Sequence, residues 1–448
     1  MSRYLSIESE WLDQPLAADP LERRTWARLE INIAGCTVTR LWDRHSLAER
    51  LSIYVPAFPL AAWIAANWWA LLHEPARSVK IPSADGLKVL RQRTWLGRHC
   101  FRAADSGVLL PRLCIYSDGH GLIAESVADD QDAYAHMPGQ FVASGYFHLP
   151  LEEVQNPLRE FVSRVVARIN GEPDERALEL KRNWQAISEA DAEETAFCSA
   201  AGRLGLDPYQ SDAWDLSLVE LLERDLGDAN NPPIVADLLE AADPQSVVAL
   251  WGWVESMRKA LDLQPAPKVA SVYSLGSENP VKSGYRLAAE VRRSMGAHAK
   301  GPLGRVADAA LAMGINAMVF EHHNHLRSPS VRATVGWRAG RDPVVAGPRP
   351  MHEQQTRFVE ARALYHAVFT CHKGPRLVTD AQTWDQRASR TFAAELLAPQ
   401  AELMAQYDAA AWVNDPELFE QELAKKYNVS TMLVRHQLEN AGVDLSEA

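Results

Sequence analysis

Residues 356–400 read TRFVEARALYHAVFTCHKGPRLVTDAQTWDQRASRTFAAELLAPQ. From Arg357 to Thr370 the apolar side chains fall at Phe358, Ala361, Leu364, Tyr365, Val368 and Phe369, the i, i+3, i+4 spacing of a helix with one buried stripe. That register puts Arg362 and His366 together on another face. A second helix is expected over roughly Thr383 to Ala398, where Trp384, Ala388, Phe392 and Leu396 recur one turn apart and Pro399 ends the run. Asp385 and Ser389 line a neighbouring face of it.

The segment FAAELLAP at Phe392–Pro399, behind a helix of this type, resembles the ImmA/IrrE family of zinc-dependent endopeptidases, which have a zincin-like α+β fold. In that family the first helix carries HExxH: two histidines at i and i+4 hold zinc and the glutamate activates water. At the matching positions this chain has Arg362-Ala363-Leu364-Tyr365-His366. One histidine remains, the other is replaced by arginine, and the general base is replaced by alanine. The family's third ligand, a glutamate shortly before FAAELL, falls where this chain reads Asp385-Gln386-Arg387-Ala388-Ser389-Arg390, leaving Asp385 as the one carboxylate. A catalytic zinc takes three protein ligands and an open position, and His366 with Asp385 supplies two. A guanidinium repels a dication besides filling its space. The resemblance thus implies a degenerate site at Arg362, Ala363, His366 and Asp385, with no catalytic residue, metal or cofactor expected. If an ion binds, His366 and Asp385 are its ligands. An arginine enclosed at the zinc position needs a carboxylate, and Asp385 is the expected partner, with His366 as a neutral neighbour.

Working outward, SGYRLAAEVRRSM at Ser283–Met295 and GPLGRVADAALAMGINAMVF at Gly301–Phe320 resemble the paired opening helix and helix-to-strand of the same family. Over Val331–Val345, Gly336, Gly340 and Asp342-Pro343 punctuate short apolar runs as hairpin turns do. The resemblance covers about residues 280 to 400. Arg387 and Arg390, with Arg286, Arg292 and Arg293, either surround the former active-site groove or are solvated helix faces, and the second reading is favoured. His322, His323 and His325 are adjacent on an expected loop and point apart, which disfavours a displaced metal site.

Before residue 265 no family is apparent. Alternation from Arg28 to Asp43 predicts two strands joined near Ala34-Gly35. PAFPLAAWIAANWWALLHE at Pro56–Glu74 predicts a helix whose Trp63, Trp68 and Trp69 belong to a core in preference to a base-stacking surface. Strands are expected at Leu109–Tyr116 and Leu122–Val127 around the turn Asp118-Gly119-His120-Gly121, where His120 has no partner spaced to make it a ligand. After Pro150 the periodicity is helical: one amphipathic helix ends at Gly171, and Ser188 with Asp191 fits a capping box for the next, which ends at Gly205. Further helices are expected at Leu216–Leu222, Ile234–Leu239 and Val247–Leu261. Leu261–Lys282, with Pro265, Pro267 and Pro280 among serines and glycines, has the composition of a linker. Phe419–Val443 reads helix, turn at Asn428-Val429-Ser430, helix, with Ser430 as N-cap, and is favoured as completing the fold over reading DNA.

The expected architecture is therefore multidomain α+β: an N-terminal α+β domain (1–150), a helical connector (151–265), a zincin-like ImmA/IrrE-like pseudo-peptidase domain (280–400) and a C-terminal helical tail (401–448). Five scattered cysteines without a CxxC pair read as reduced thiols of a cytoplasmic protein. A formal charge of −12 argues against polyanion binding by the whole surface, and no apolar run is long enough to span a membrane. Active members of the family cleave helix-turn-helix repressors to release stress, mobile-element or phage-related genes. The favoured reading is a catalytically inactive pseudo-metallopeptidase, regulatory or phage-defence-associated, that binds a protein partner such as a helix-turn-helix regulator. The alternatives are a zinc-dependent endopeptidase using His366 and Asp385, with His352 or His372, and a nucleic-acid-binding regulator or sensor, which is less favoured.

Overall fold

The computed structural model describes residues 4–12, 18–76, 95–129, 139–227, 232–264, 279–296, 300–315, 318–323, 330–338, 343–348, 352–369, 374–409 and 416–443. It is an α+β chain of two compact units, 1–230 and 231–448. No helix among the described residues is long and apolar enough to cross a membrane.

In the first unit, β1 (Leu5–Trp11) pairs antiparallel with β2 (Trp26–Ile33) from Leu5↔Ile33 to Trp11↔Ala27. Leu29, Ile31 and Ile33 alternate inward on β2, the period-2 pattern of a half-buried strand. The turn from β2 into β3 (Cys36–Thr37) runs through Ala34 and Gly35 with φ of 48° and 87°, a left-handed pair that glycine adopts without strain. Two further small sheets involve β4 (Leu41–Asp43), β5 (Ala48–Arg50) and β9 (Gly139–Phe141), and β7 (Leu113–Ser117), β8 (Leu122–Ser126) and β10 (Gly145–Leu149), while β6 (Ile53–Pro56) joins β2. The tryptophan-rich segment is two helices, Phe58–Ala66 and Trp68–His73, broken at Asn67. Its three tryptophans are core: Trp63 meets Phe101 edge-on at 5.6 Å, Trp68 meets Trp184 at 5.3 Å, and Trp69 donates to the Tyr209 hydroxyl.

The helices Leu151–Arg168, Glu175–Glu189 and Ala192–Arg203 bury Leu158, Phe161, Trp184 and Cys198 in this same core. The capping box expected at Ser188 is not formed. The helix before it continues through Ser188, and Asp191 itself is the N-cap, accepting from the amides of Glu193 and Glu194. The division between units falls inside the stretch read as one connector, so that Pro233–Ala241 and Val247–Ala260 belong with the C-terminal residues.

The second unit is built on a mixed sheet. β13 (Val331–Arg338) is central, antiparallel to β14 (Pro343–Pro348) on one edge and to β15 (Arg376–Thr379) on the other, and β12 (Val319–His323) runs parallel to β14. The linker composition hides one more strand: β11 (Leu263–Gln264) pairs with Arg338 and Trp337 of β13. Residues 265–278, the rest of that stretch, lie outside the described residues, as do His325, Cys371 and His372.

Helix Glu353–Val368 packs on β13 and β15 and is crossed by Trp384–Leu397, which in turn lies along Pro280–Ser294. Covered on these sides, its middle is buried all round from Ala361 to Ala367, not on a single stripe. The approach of the last two helices is set by Gly284, where a Cβ would meet the Ala388 carbonyl oxygen at 2.6 Å and Thr391 Cβ at 2.8 Å. The C-terminal helices Pro416–Tyr427 and Thr431–Asn440 insert Leu423, Tyr427, Val434 and Leu438 into this core, and Ser430 caps the second by accepting from the Leu433 amide.

Candidate functional site

Arg362 and His366 lie one turn apart in the buried middle of helix Glu353–Val368, at 2% and 3% exposure, and Ala363 beside them is fully buried. Trp384–Leu397 brings Asp385, Gln386 and Ser389 against them, and β15 brings Thr379 and Arg376. The Arg362 guanidinium donates from Nε to Ser389 Oγ (3.1 Å) and from Nη2 to the Thr379 carbonyl oxygen (2.6 Å) and Gln386 Oε1 (2.8 Å). All three are neutral acceptors.

The ion pair expected between Arg362 and Asp385 is therefore absent, because Asp385 is engaged elsewhere. Arg376 Nη2 donates to Asp385 Oδ2 (2.8 Å) and to Asp237 Oδ1 (2.9 Å), while Nε donates to Asp237 Oδ2 (2.7 Å). Asp237 comes from helix Pro233–Ala241 and also accepts from the Leu377 amide. Gln386 joins the two clusters. Its Oε1 accepts from Arg362 and the Thr379 amide, and its Nε2 donates to the Leu377 carbonyl oxygen (2.7 Å) and Asp237 (3.4 Å).

The electrostatics of the two arginines differ accordingly. Burial opposes the charge of Arg376, but Asp237 and Asp385 outweigh it and raise its pKa above the ordinary arginine value. Burial pushes Arg362 well below that value, and the neighbouring Arg390 charge pushes it further. His366 is driven down to about 3, first by burial and then by the Arg376 charge, so its ring is neutral at physiological pH.

These residues do not fit a zinc ion. His366 lies one turn from a guanidinium, which repels a dication, and Asp385 is held by Arg376. Among the described residues no three His, Cys, Asp or Glu side chains are grouped to share an ion.

Arg362 also forms part of the floor of an open groove of about 660 Å³, bounded by the start of helix Glu353–Val368, helix Thr431–Asn440 and one face of Trp384–Leu397. Phe358, Val359, Met432 and Leu433 supply apolar wall, Gln354 and Gln355 supply exposed amides, and His352 stands at the rim. Arg332 and Asp380 pair across its edge with a contact of 2.6 Å.

Of the arginines read as possible groove residues, Arg390 is there. Arg292 instead donates to the carbonyl oxygens of Leu396 and Gly301, and Arg286 pairs with Glu290 along its own helix. Asp237, Arg376, Gln386, Arg332 and Asp380 were not singled out from sequence. The first two carried a signal, a charge flanked directly by apolar residues: IVADLL for Asp237 and PRLV for Arg376. No protein-family model, curated protein or solved structure matches the chain.

Proposed function

We propose that this protein is a catalytically silent relative of the ImmA/IrrE endopeptidases, a regulatory or phage-defence-associated protein that binds a protein partner through the groove above Arg362. The observation that carries this reading is the guanidinium of Arg362, seated in three hydrogen bonds where the family's motif has its first zinc histidine. Ala363, where the motif has its general base, offers no proton acceptor. The groove beside them remains open, with the mixed apolar and amide lining that suits a peptide segment. Elemental analysis of the purified protein tests the reading. The expected result is substoichiometric zinc and no cleavage of a helix-turn-helix substrate. One zinc per chain, lost together with peptidase activity in His366→Ala, overturns it.

A further inference from the structure

Among the described residues three guanidinium groups line the groove, those of Arg332, Arg362 and Arg390, against one carboxylate, Asp380. Arg332 takes that carboxylate through three close contacts of 2.6–3.3 Å. Arg362 and Arg390 are left with neutral acceptors. Arg390 donates to the carbonyl oxygens of Thr379 and Ala381 and to the Gln382 amide oxygen, and burial, opposed by the Asp380 charge and joined by that of Arg387, lowers its pKa to about 10. The bonds of Arg362 use Nε and Nη2, and among the described residues its Nη1 donates to nothing. A chain with a formal charge of −12 thus holds, at a half-enclosed apolar groove, two guanidinium groups that are hydrogen-bonded to no carboxylate, with the nearby Asp380 charge acting on both but bonded to Arg332. Such charge is costly unless an anion meets it.

Resting on the reading of the groove as a partner surface, we infer that its occupant is an apolar peptide segment bearing one carboxylate side chain, which is received by Arg362 Nη1 and Arg390. The walls fix the rest of the chemistry. Phe358, Met432 and Leu433 cover apolar neighbours of the acid, and the Gln354 and Gln355 amides offer both a donor and an acceptor to an extended main chain.

The test uses the full chain immobilised and pools of acetylated, amidated hexapeptides. One internal position is fixed as Glu, Gln or phosphoserine, and the others are drawn from Ala, Val, Leu and Phe. The expected result is that the Glu pool is retained ~10-fold more strongly than the Gln pool at low salt, with the preference shrinking as salt rises. Arg390→Gln, at a half-buried position, should bring the two pools close to parity. Arg362→Met should do the same, provided its circular dichroism matches the parent, and the Arg390 variant keeps the inference testable if it does not. Equal retention of Glu and Gln pools overturns the inference and leaves the partner-binding groove standing. Retention of neither pool also overturns it, and the zinc measurement then decides the proposed function separately. Stronger retention of the phosphoserine pool overturns the assignment to a carboxylate.

Discussion

Asp237 and Arg376, 139 residues apart in sequence, meet in a two-point ion pair with side chains 2% and 6% exposed. Asp237→Ala leaves the Arg376 charge buried with Asp385 alone, and loss of one partner of such a pair typically costs ~3–5 kcal/mol. The double variant Asp237→Ala, Arg376→Met removes both charges and should lose clearly less than the sum of the single changes. Chemical unfolding of the four proteins in this cycle measures the coupling, and strict additivity would show that the pair contributes nothing.

The same pair fixes where the C-terminal unit can be cut. A fragment of residues 231–448 retains Asp237 and β11 and should unfold cooperatively when expressed alone. A fragment beginning at residue 280, where the family resemblance begins, lacks both the acid that matches Arg376 and the strand beside Trp337. It should be less stable by several kcal/mol or fail to fold. Equal melting temperatures for the two fragments would contradict this.

Gly284 sets the contact between helices Pro280–Ser294 and Trp384–Leu397, and the space for a side chain is filled by backbone atoms of Ala388 and Phe392. Gly284→Ala must push the helices apart, at a cost of ~1–3 kcal/mol despite its gain in helix propensity. Because Gln386 and Ser389 ride on the displaced helix, nuclear magnetic resonance signals of the Arg362 guanidinium should shift as well. An unchanged melting temperature and unchanged Arg362 signals would refute the prediction.

Acid should destabilise both units through groups held away from their protonated forms. His366 is driven by burial from 6.5 to about 3, and His73 in the first unit likewise. Between those values the unfolded chain binds a proton that the folded chain does not, so stability is full above about pH 6.5 and falls as pH drops towards 3. Glu74 adds to the loss lower down. Burial pushes its carboxyl up, but bonds from His99 and Arg98 prevail and hold it at about 2 against the usual 4.5. Its contribution, present above 4.5, is lost as pH falls through about 2. Urea midpoints across pH 4–7.5 follow the histidine effect, and His366→Gln should flatten the slope for the second unit. A slope unchanged by that substitution would assign the effect to another group.

Much of the C-terminal unit could be read from local patterns, because its helices and hairpin carry strong periodicity and end at Pro, Gly or capping residues. The positions of Arg362, His366 and Ser389 follow from helical spacing alone, and Ser430 from its capping pattern. The partners of Arg362 do not follow. Asp385 was the one acid on the second helix ahead of Glu395, yet β15 inserts Arg376 beside it and Asp237 arrives from a helix before β11. Pairing across such distances depends on tertiary placement, and no local signal encodes it. β11 was missed for a related reason. Two residues pairing with a strand 70 or so positions later leave no periodicity to detect, and the surrounding composition suggested a linker.

The amide of Gln386 has consequences for which changes this sequence can tolerate. Gln386→Glu would place a carboxylate on Arg362 and cancel half of the unmatched charge under the groove. It would also turn a donor facing Asp237 into a second acid beside the first. The two positions are therefore tied: because Asp237 matches Arg376, chains that keep Asp237 are expected to keep an amide at 386. The sign of the groove is thus inherited from a pairing made below it, and an amide at 386 should accompany an acid at 237.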